Sequence, residues 1–296
     1  MQVCVGLSAI GTNSYHARAF GQNWRRTHAI LTGMHNTNAQ PVTLFSWNVN
    51  GIRACEAKGF SGWLHSSGAD IVMIQETKCQ PEQLAPALRQ PEGFHAEWCS
   101  AEKKGYSGVA TFSRERYTAA RGLSEERFDR EGRVLISELP HFTLFNIYFP
   151  SGSSGPDRVA YKLDFYTHLL SILRGQLESG QRVVVAGDVN TAYAEIDLAR
   201  PRENKQTSGF LPEERTALGA FLDIGLVDAF RYARPHEAKY SWWSQVTNAR
   251  ARNIGWRLDY FLISHNLLPY LVDSNIHTTV LGSDHCPVSL TLKLPM

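Results

Sequence analysis

From position 42 onward the chain alternates short apolar runs with stretches whose apolar residues recur every three or four positions, and run after run stops at an acid or an amide. Apolar runs bounded by polar residues are the pattern of strands covered on both faces, and the helical stretches between them supply the cover. The pattern predicts strands over 42–47, 71–75, 108–113, 134–139, 142–149, 182–186, 258–263 and 288–292. It predicts helices over 60–66, 159–176 and 211–222, with Pro212 suited to a first helical turn. No Pro/Gly/Ser-rich linker and no repeat interrupts this alternation, so the reading is one α/β domain over 41–296.

The strand ends carry the chemistry. The first run leads into Asn48 and Asn50, the second into Glu76, the fifth into Tyr148 and the sixth into Asp188 and Asn190. Strands of a sheet deliver such residues to one rim, so these side chains are expected to converge there with Asp284 and His285. Asp259 opens another strand run, and a carboxylate followed later by an Asp-His pair is the pattern of an oriented general base.

Glu76 with an amide oxygen from Asn48 or Asn50 offers hard ligands and few carboxylates, which suits magnesium that keeps most of its waters. Asn190 can hydrogen-bond a developing oxyanion, and Tyr148 supplies a phenol for a phosphate or leaving oxygen. His285, its tautomer set by Asp259, can take a proton from water or stabilise phosphoryl oxygens. Together these groups describe metal-assisted hydrolysis of a phosphodiester by direct attack of water. A covalent route lacks its Gly-x-Ser-x-Gly elbow, and the loop Ser151-Gly-Ser-Ser-Gly155 lacks the Gly-Lys-Ser/Thr ending of a nucleotide site.

Aromatic and basic residues interleave late in the chain: Tyr240, Trp242, Trp243, Arg250, Arg252, Trp256 and Arg257. One of Trp242 and Trp243 is expected in the core, and the rest read as a stacking surface with Arg side chains on phosphates. Arg53, Lys78, Lys103 and Lys104 extend that footprint, although each alone is an ordinary solvated charge. Such a patch must be local, because 30 Lys+Arg against 28 Asp+Glu gives a net charge of only +2.

Five cysteines without CxxC spacing read as free thiols in a reducing compartment and argue against zinc. No apolar stretch reaches the roughly 20 residues of a membrane-spanning helix. Residues 1–40 contain Arg18, Arg25 and Arg26 but no acid, which fits a transit peptide, a disordered extension, or an upstream start with Met34 as initiator. The lack of an amphipathic period favours the last two.

With these residues in hand, the chain resembles the exonuclease III / AP endonuclease family of DNA repair enzymes over about Thr43 to Leu294. The motifs that carry the likeness are Ser46-Trp-Asn-Val-Asn-Gly-Ile-Arg53, Ala69-Asp-Ile-Val-Met-Ile-Gln-Glu76-Thr-Lys78, Gly187-Asp-Val-Asn190, Asn253-Ile-Gly-Trp-Arg-Leu-Asp259 and Gly282-Ser-Asp-His285. The resemblance implies a DNase I-like four-layer α/β sandwich, two mixed β-sheets face to face with helices outside. It implies magnesium-dependent cleavage, with manganese as a substitute, on the 5′ side of abasic sites in double-stranded DNA. It also implies 3′-to-5′ exonuclease activity and cleaning of blocked 3′ ends, by a monomer in the bacterial cytoplasm or, in a eukaryote, the nucleus or mitochondrion.

By motif, the resemblance implies Tyr148, Asp188, Asn190, Asp259 and His285 as the catalytic set. It implies Asn48, Glu76, Asp188, Asn190, Asp284 and His285 around the metal, and Arg53, Lys78, Asn204, Trp242 and Trp256 on the substrate. Whether Asp188 or His285 activates the water stays open at this point. The chain departs from the family at Asn50, where some members have Asp, at the 151–158 loop, at Thr207, and at Ala229. The alternatives are an exonuclease-dominant member, a same-fold phosphoesterase acting on an inositol phosphate or sphingolipid head group, and an inactive DNA-binding protein. The Trp-rich 240–257 segment argues against the second, and retention of the whole catalytic set against the third.

Overall fold

Why the central runs of this chain are apolar at every position is plain from the two sheets they build. The computed structural model describes residues 40–246 and 248–295. The expectation for 1–40 therefore falls outside the described residues, Gln40 excepted, while Gln40–Leu294 forms a compact unit.

The strands are β1 (Val42–Asn48), β2 (Ile71–Gln75), β3 (His95–Cys99), β4 (Val109–Ser113), β5 (Thr118–Arg121), β6 (Val134–Glu138), β7 (Thr143–Tyr148), β8 (Val183–Asp188), β9 (Leu226–Asp228), β10 (Asp259–Ser264), β11 (Leu271–Ile276) and β12 (Val288–Leu292). One six-stranded sheet runs β11-β12-β1-β2-β4-β3 and the other β5-β6-β7-β8-β10-β9. Each is mixed, parallel only at its centre, where β1 pairs with β2 and β7 with β8. The helices are α1 (Ile52–Glu56), α2 (Phe60–Ser66), α3 (Pro86–Arg89), α4 (Glu126–Asp129), α5 (Pro156–Glu178), α6 (Pro212–Asp223) and α7 (Ala229–Ala233).

Alternate residues of each central strand point to opposite faces, and both faces are covered. Leu44, Met73, Leu144, Val184, Phe261, Ile263 and Leu290 meet in one cluster between the sheets. Their neighbours Phe45, Trp47, Val72 and Ile74 pack outward with Phe60 and Leu64 of α2. On the other side Phe145, Val183, Val185, Tyr260 and Leu262 pack outward with Phe165, Tyr166, Leu169 and Leu173 of α5 and Leu218 and Phe221 of α6. The result is the expected helix–sheet–sheet–helix sandwich, with each large side chain worth roughly 1.5–3 kcal/mol on burial. A buried polar link joins the sheets: Gln75 Nε2 donates to Asn146 Oδ1 at 2.8 Å, and Asn146 Nδ2 to the Ala110 carbonyl at 2.8 Å.

The expected strands and helices are found, with no end shifted by more than three residues. The four strands that the apolar pattern did not predict, β3, β5, β9 and β11, are the four sheet edges. An edge strand is half covered and carries polar residues that discourage further pairing. Thr118–Arg121 accordingly shows no buried residue.

The central registers bring the strand ends to one rim. Asn48 sits opposite Gln75, the residue before Glu76. Tyr148 sits opposite Asp188, and Asp188 opposite Asp259. Val288 pairs antiparallel with Ser46, so the chain enters β12 from that rim with His285 just before it. Gly187 permits the close approach of β7 and β8, because a Cβ there would lie 1.8 Å from the Ile147 carbonyl oxygen.

Candidate active site

Four residues just beyond these strand ends, Asn50, Glu76, Lys78 and Asn190, hold positive φ angles between 47° and 57°. Side chains other than Gly and Asn rarely adopt this region, and each such residue costs on the order of 1 kcal/mol or more. Backbone bonds hold the strained pair: Gly51 N–H donates to the Glu76 carbonyl at 2.7 Å and Lys78 N–H to that of Ser107 at 2.8 Å. The Glu76 carboxylate and the Lys78 ammonium meet 2.8 Å apart.

Asn48 is fully buried between two acids. Its Nδ2 donates to Glu76 Oε1 and to Asp188 Oδ2, both at 2.9 Å, while its Oδ1 accepts from Asn50 N–H at 2.9 Å. The amide nitrogen rather than the expected oxygen faces the acids. Burial opposes the Glu76 charge, but Lys78, with hydrogen bonds from Asn48 and Tyr148, holds its pKa below the ordinary value. The Tyr148 phenol moves well above its usual value, pushed by burial and by Glu76. Below it the Arg133 guanidinium stacks 4.6 Å from the ring centre and donates to the Tyr148 carbonyl at 3.0 Å.

Asp188, Asp259 and His285 form the centre. His285 Nδ1 lies 2.8 Å from Asp259 Oδ2, and its Nε2 lies 3.7 Å from Asp188 Oδ2. Ser241 Oγ pins Asp259 by accepting from its N–H at 3.1 Å. Burial works against the imidazolium, yet Asp259 and then Asp188 outweigh it and raise His285 to about 10. Burial raises Asp188, His285 draws it back, and Asp259 and Glu76 push it up again to about 7. Asn190 N–H donates to Asp188 Oδ1 at 2.9 Å, and its Nδ2 to the Phe149 carbonyl at 3.0 Å and Asp188 Oδ2 at 3.2 Å.

Asp284 stands beside this centre with both oxygens engaged. Oδ1 accepts from Asn50 Nδ2 at 2.9 Å and Oδ2 from the Trp242 indole at 3.1 Å. Trp242 and Trp256 stand nearly perpendicular, ring centres 6.4 Å apart, with Phe210 against Trp256. Leu258, Ala192 and Leu198 complete this apolar patch.

The acids fit a cation. Asp188, Asp259 and His285 offer ligand atoms within 4.8 Å of one another. Asp259 Oδ1 is buried with no hydrogen-bond partner.

The structure thus brings together Asn48, Glu76, Tyr148, Asp188, Asn190, Asp259, Asp284, His285, Lys78, Trp242 and Trp256. It leaves Arg53 exposed on α1, and Asn204 donates to the Arg200 carbonyl at 2.8 Å in its own turn. Trp243 is the tryptophan that the core takes. Arg257 and Arg250, expected on phosphates, are otherwise engaged. Arg257 is 1% exposed and paired with Asp197 and Asp228, and Arg250 stacks on Trp243 and donates to the Ser283, Thr278 and Val280 carbonyls. Sequence reasoning missed Phe210, Ser241 and Arg133, none of which has a distinctive spacing. It also missed Lys162, whose signal was a lysine in register with the apolar stripe of α5.

An α/β sandwich with acids, an imidazole and an aromatic patch at one rim fits a hydrolase of phosphoester bonds. The family described as "Endonuclease/Exonuclease/phosphatase family" matches residues 45–285, and the chain belongs to it as a nuclease. It is 42% identical to an exodeoxyribonuclease of Bacillus subtilis (strain 168) over 256 residues, 86% of this chain and 100% of that protein. It is 41% identical over 260 residues to the DNA repair nuclease APEX1 of Danio rerio, covering 86% of this chain and 84% of the other. Among solved structures it is similar to the AP endonuclease LMAP of Leishmania major, with 30% identity, a TM-score of 0.79, and coverage of 89% and 91%. Among the described residues no helix is long and apolar enough to cross a membrane.

Proposed function

We propose that the chain hydrolyses phosphodiesters of double-stranded DNA on the 5′ side of abasic sites and at 3′ ends, using magnesium, for which manganese can substitute. The observation that carries this reading is the Asp259–His285–Asp188 arrangement set beside the half-buried Trp242–Trp256 patch, which we read as a slot for the substrate. The names of the relatives support DNA as the substrate. Two aromatic walls at right angles favour a sugar that has lost its base. The four described cysteines are free and buried, which supports a reducing compartment, and we favour the bacterial cytoplasm.

Glu76 would hold the metal ion, which when bound supplies Lewis-acid polarisation of a phosphoryl oxygen. Asn48 spaces Glu76 from Asp188, and Asp284 holds the indole of Trp242. The proton inventory supports a reading of the remaining roles. Asp188, at about 7, is largely ionised in mildly alkaline solution and accepts the proton of the attacking water. His285, at about 10, already carries its proton, so it serves as a charged donor to the phosphoryl oxygens, oriented by Asp259. Asn190, whose Nδ2 donates to the Phe149 carbonyl and, at a longer 3.2 Å, to Asp188, would turn the second of these N–H groups to the same developing charge. Tyr148 keeps its proton throughout and donates to the phosphate or leaving oxygen. Arg53 and Asn204 extend the contact along the DNA backbone.

The test is single-turnover incision of an abasic duplex with magnesium at mildly alkaline pH, comparing the parent with D188N and H285A. Each variant should lose about 10²-fold or more in rate while DNA affinity stays within a few-fold. A loss under about tenfold in either removes that residue from the chemical step.

A further inference from the structure

Behind Asn190, away from the slot, lies a buried ion pair that the chemistry above does not use. Lys162 of α5 and Glu214 of α6 are both 0% exposed, with Nζ and Oε1 2.8 Å apart. The same ammonium donates to the Asn190 carbonyl at 2.7 Å. Glu214 in turn accepts from Ser208 Oγ at 2.8 Å and from the backbone N–H groups of Gly209 and Leu211. Gly209 is wedged between the two parts of the site: a Cβ there would come within 3.3 Å of both the Asn190 carbonyl oxygen and the Trp256 ring.

Stability alone gives little reason for this arrangement, because well-packed apolar side chains generally stabilise a core as well as a buried ion pair does. Apolar side chains cannot, however, donate to the Asn190 carbonyl. Asn190 has a φ of 57°, a conformation that persists only where surrounding groups hold it. Its N–H is taken by Asp188 and its carbonyl by Lys162, so acid and ammonium together fix the peptide planes on either side of its side chain.

We propose that Lys162, anchored by Glu214, is a positioning residue: by holding the Asn190 backbone carbonyl, which packs against Gly209 beside Trp256, it fixes the direction of the Asn190 side-chain amide. The proposal rests on the reading of Asn190 as a donor to the phosphoryl charge. Lys162 acts through Asn190 and touches no reacting atom.

The experiment is a double-mutant cycle between K162M and N190A, read as kcat and KM for abasic incision, with near-UV circular dichroism giving the folded fraction. Glu214 keeps three other donors in K162M, which limits the cost of leaving its charge without a cation. K162M should lower kcat about tenfold or more with KM within about threefold of the parent, since small misplacements of a catalytic group act on the chemical step. N190A alone should lose about 10²-fold, and adding K162M to it should cost no more than about twofold further. An unchanged kcat per folded K162M molecule overturns the proposal, as does a K162M loss that multiplies in full in the N190A background. If N190A itself stays within about threefold of the parent, the Asn190 assignment fails and the positioning role falls with it. Should K162M not fold, E214Q, which keeps the ammonium but slackens its anchor, enters the same cycle under the same criteria.

Discussion

Replacing Asp259 with Asn tests the electrostatic core of the mechanism. The His285 imidazole stands at about 10 against an ordinary 6.5, a gap of about 3.5 that corresponds to about 5 kcal/mol in favour of the imidazolium. Burial opposes that charge, and Asp259, bonded to Nδ1 at 2.8 Å, is the largest influence in its favour, ahead of Asp188. D259N should therefore bring the imidazole down by about two pH units or more. In the parent, kcat/KM should rise with pH as Asp188 ionises near 7 and fall as His285 loses its proton near 10. In D259N the alkaline limb should move to about 8 or below. The acid limb should move less, because the lost Asp259 charge and the weakened imidazolium pull Asp188 in opposite directions. The assay is the pH profile of kcat/KM together with NMR titration of the His285 Cε1–H, assigned by difference against H285Q. An imidazole that titrates unchanged in D259N, or an alkaline limb that stays near 10, refutes the reasoning.

Other perturbations probe the metal, the slot and the buried charges. E76Q should weaken magnesium binding by calorimetry about tenfold and raise the metal needed for half-maximal rate; an unchanged metal dependence would remove Glu76 from the ligand set. W256A should cost abasic incision about 1–3 kcal/mol in kcat/KM and spare exonuclease action on intact duplex, whereas equal losses on both would deny the slot its role. Burial opposes the Asp197 charge, but Arg257 and Arg231 hold its pKa below the ordinary carboxylate range. Its contribution to stability is thus fully present above the unfolded value of about 3.9 and is lost as pH falls through the lower folded value. D197N should be less stable than the parent by about 3–5 kcal/mol in urea at pH 7, with the gap narrowing below about pH 4; a gap independent of pH would contradict this.

The central strands were legible because Leu44 and Phe45, or Val184 and Val185, must both be apolar when helices cover one face and a second sheet the other. The edges were not, since β5 buries nothing and its sequence carries no period. The site was legible because its acids and amides follow apolar strands directly, and strand register then brings them together. What sequence could not supply was the direction of a side chain after its strand ends. Trp242 and Trp243 are adjacent, yet one faces the slot and the other the core. Arg257 lies between Trp256 and Leu258 and turns inward to Asp197 and Asp228. The Asn48 amide presents its nitrogen to Glu76 and Asp188, a choice set by the Asn50 N–H on its other side. Lys162 interrupts the apolar stripe of α5, and only its bond to the Asn190 carbonyl reveals a use.

The most direct test of the account is a gel assay on duplex DNA bearing one internal abasic analogue and labelled at its 5′ end, run with magnesium and with EDTA beside an intact duplex. The expected result is a single product ending immediately 5′ of the lesion, formed only with metal, accompanied by slower shortening from 3′ ends. Cleavage undiminished by EDTA, or a ladder from the 3′ end that leaves the lesion uncut, would contradict it.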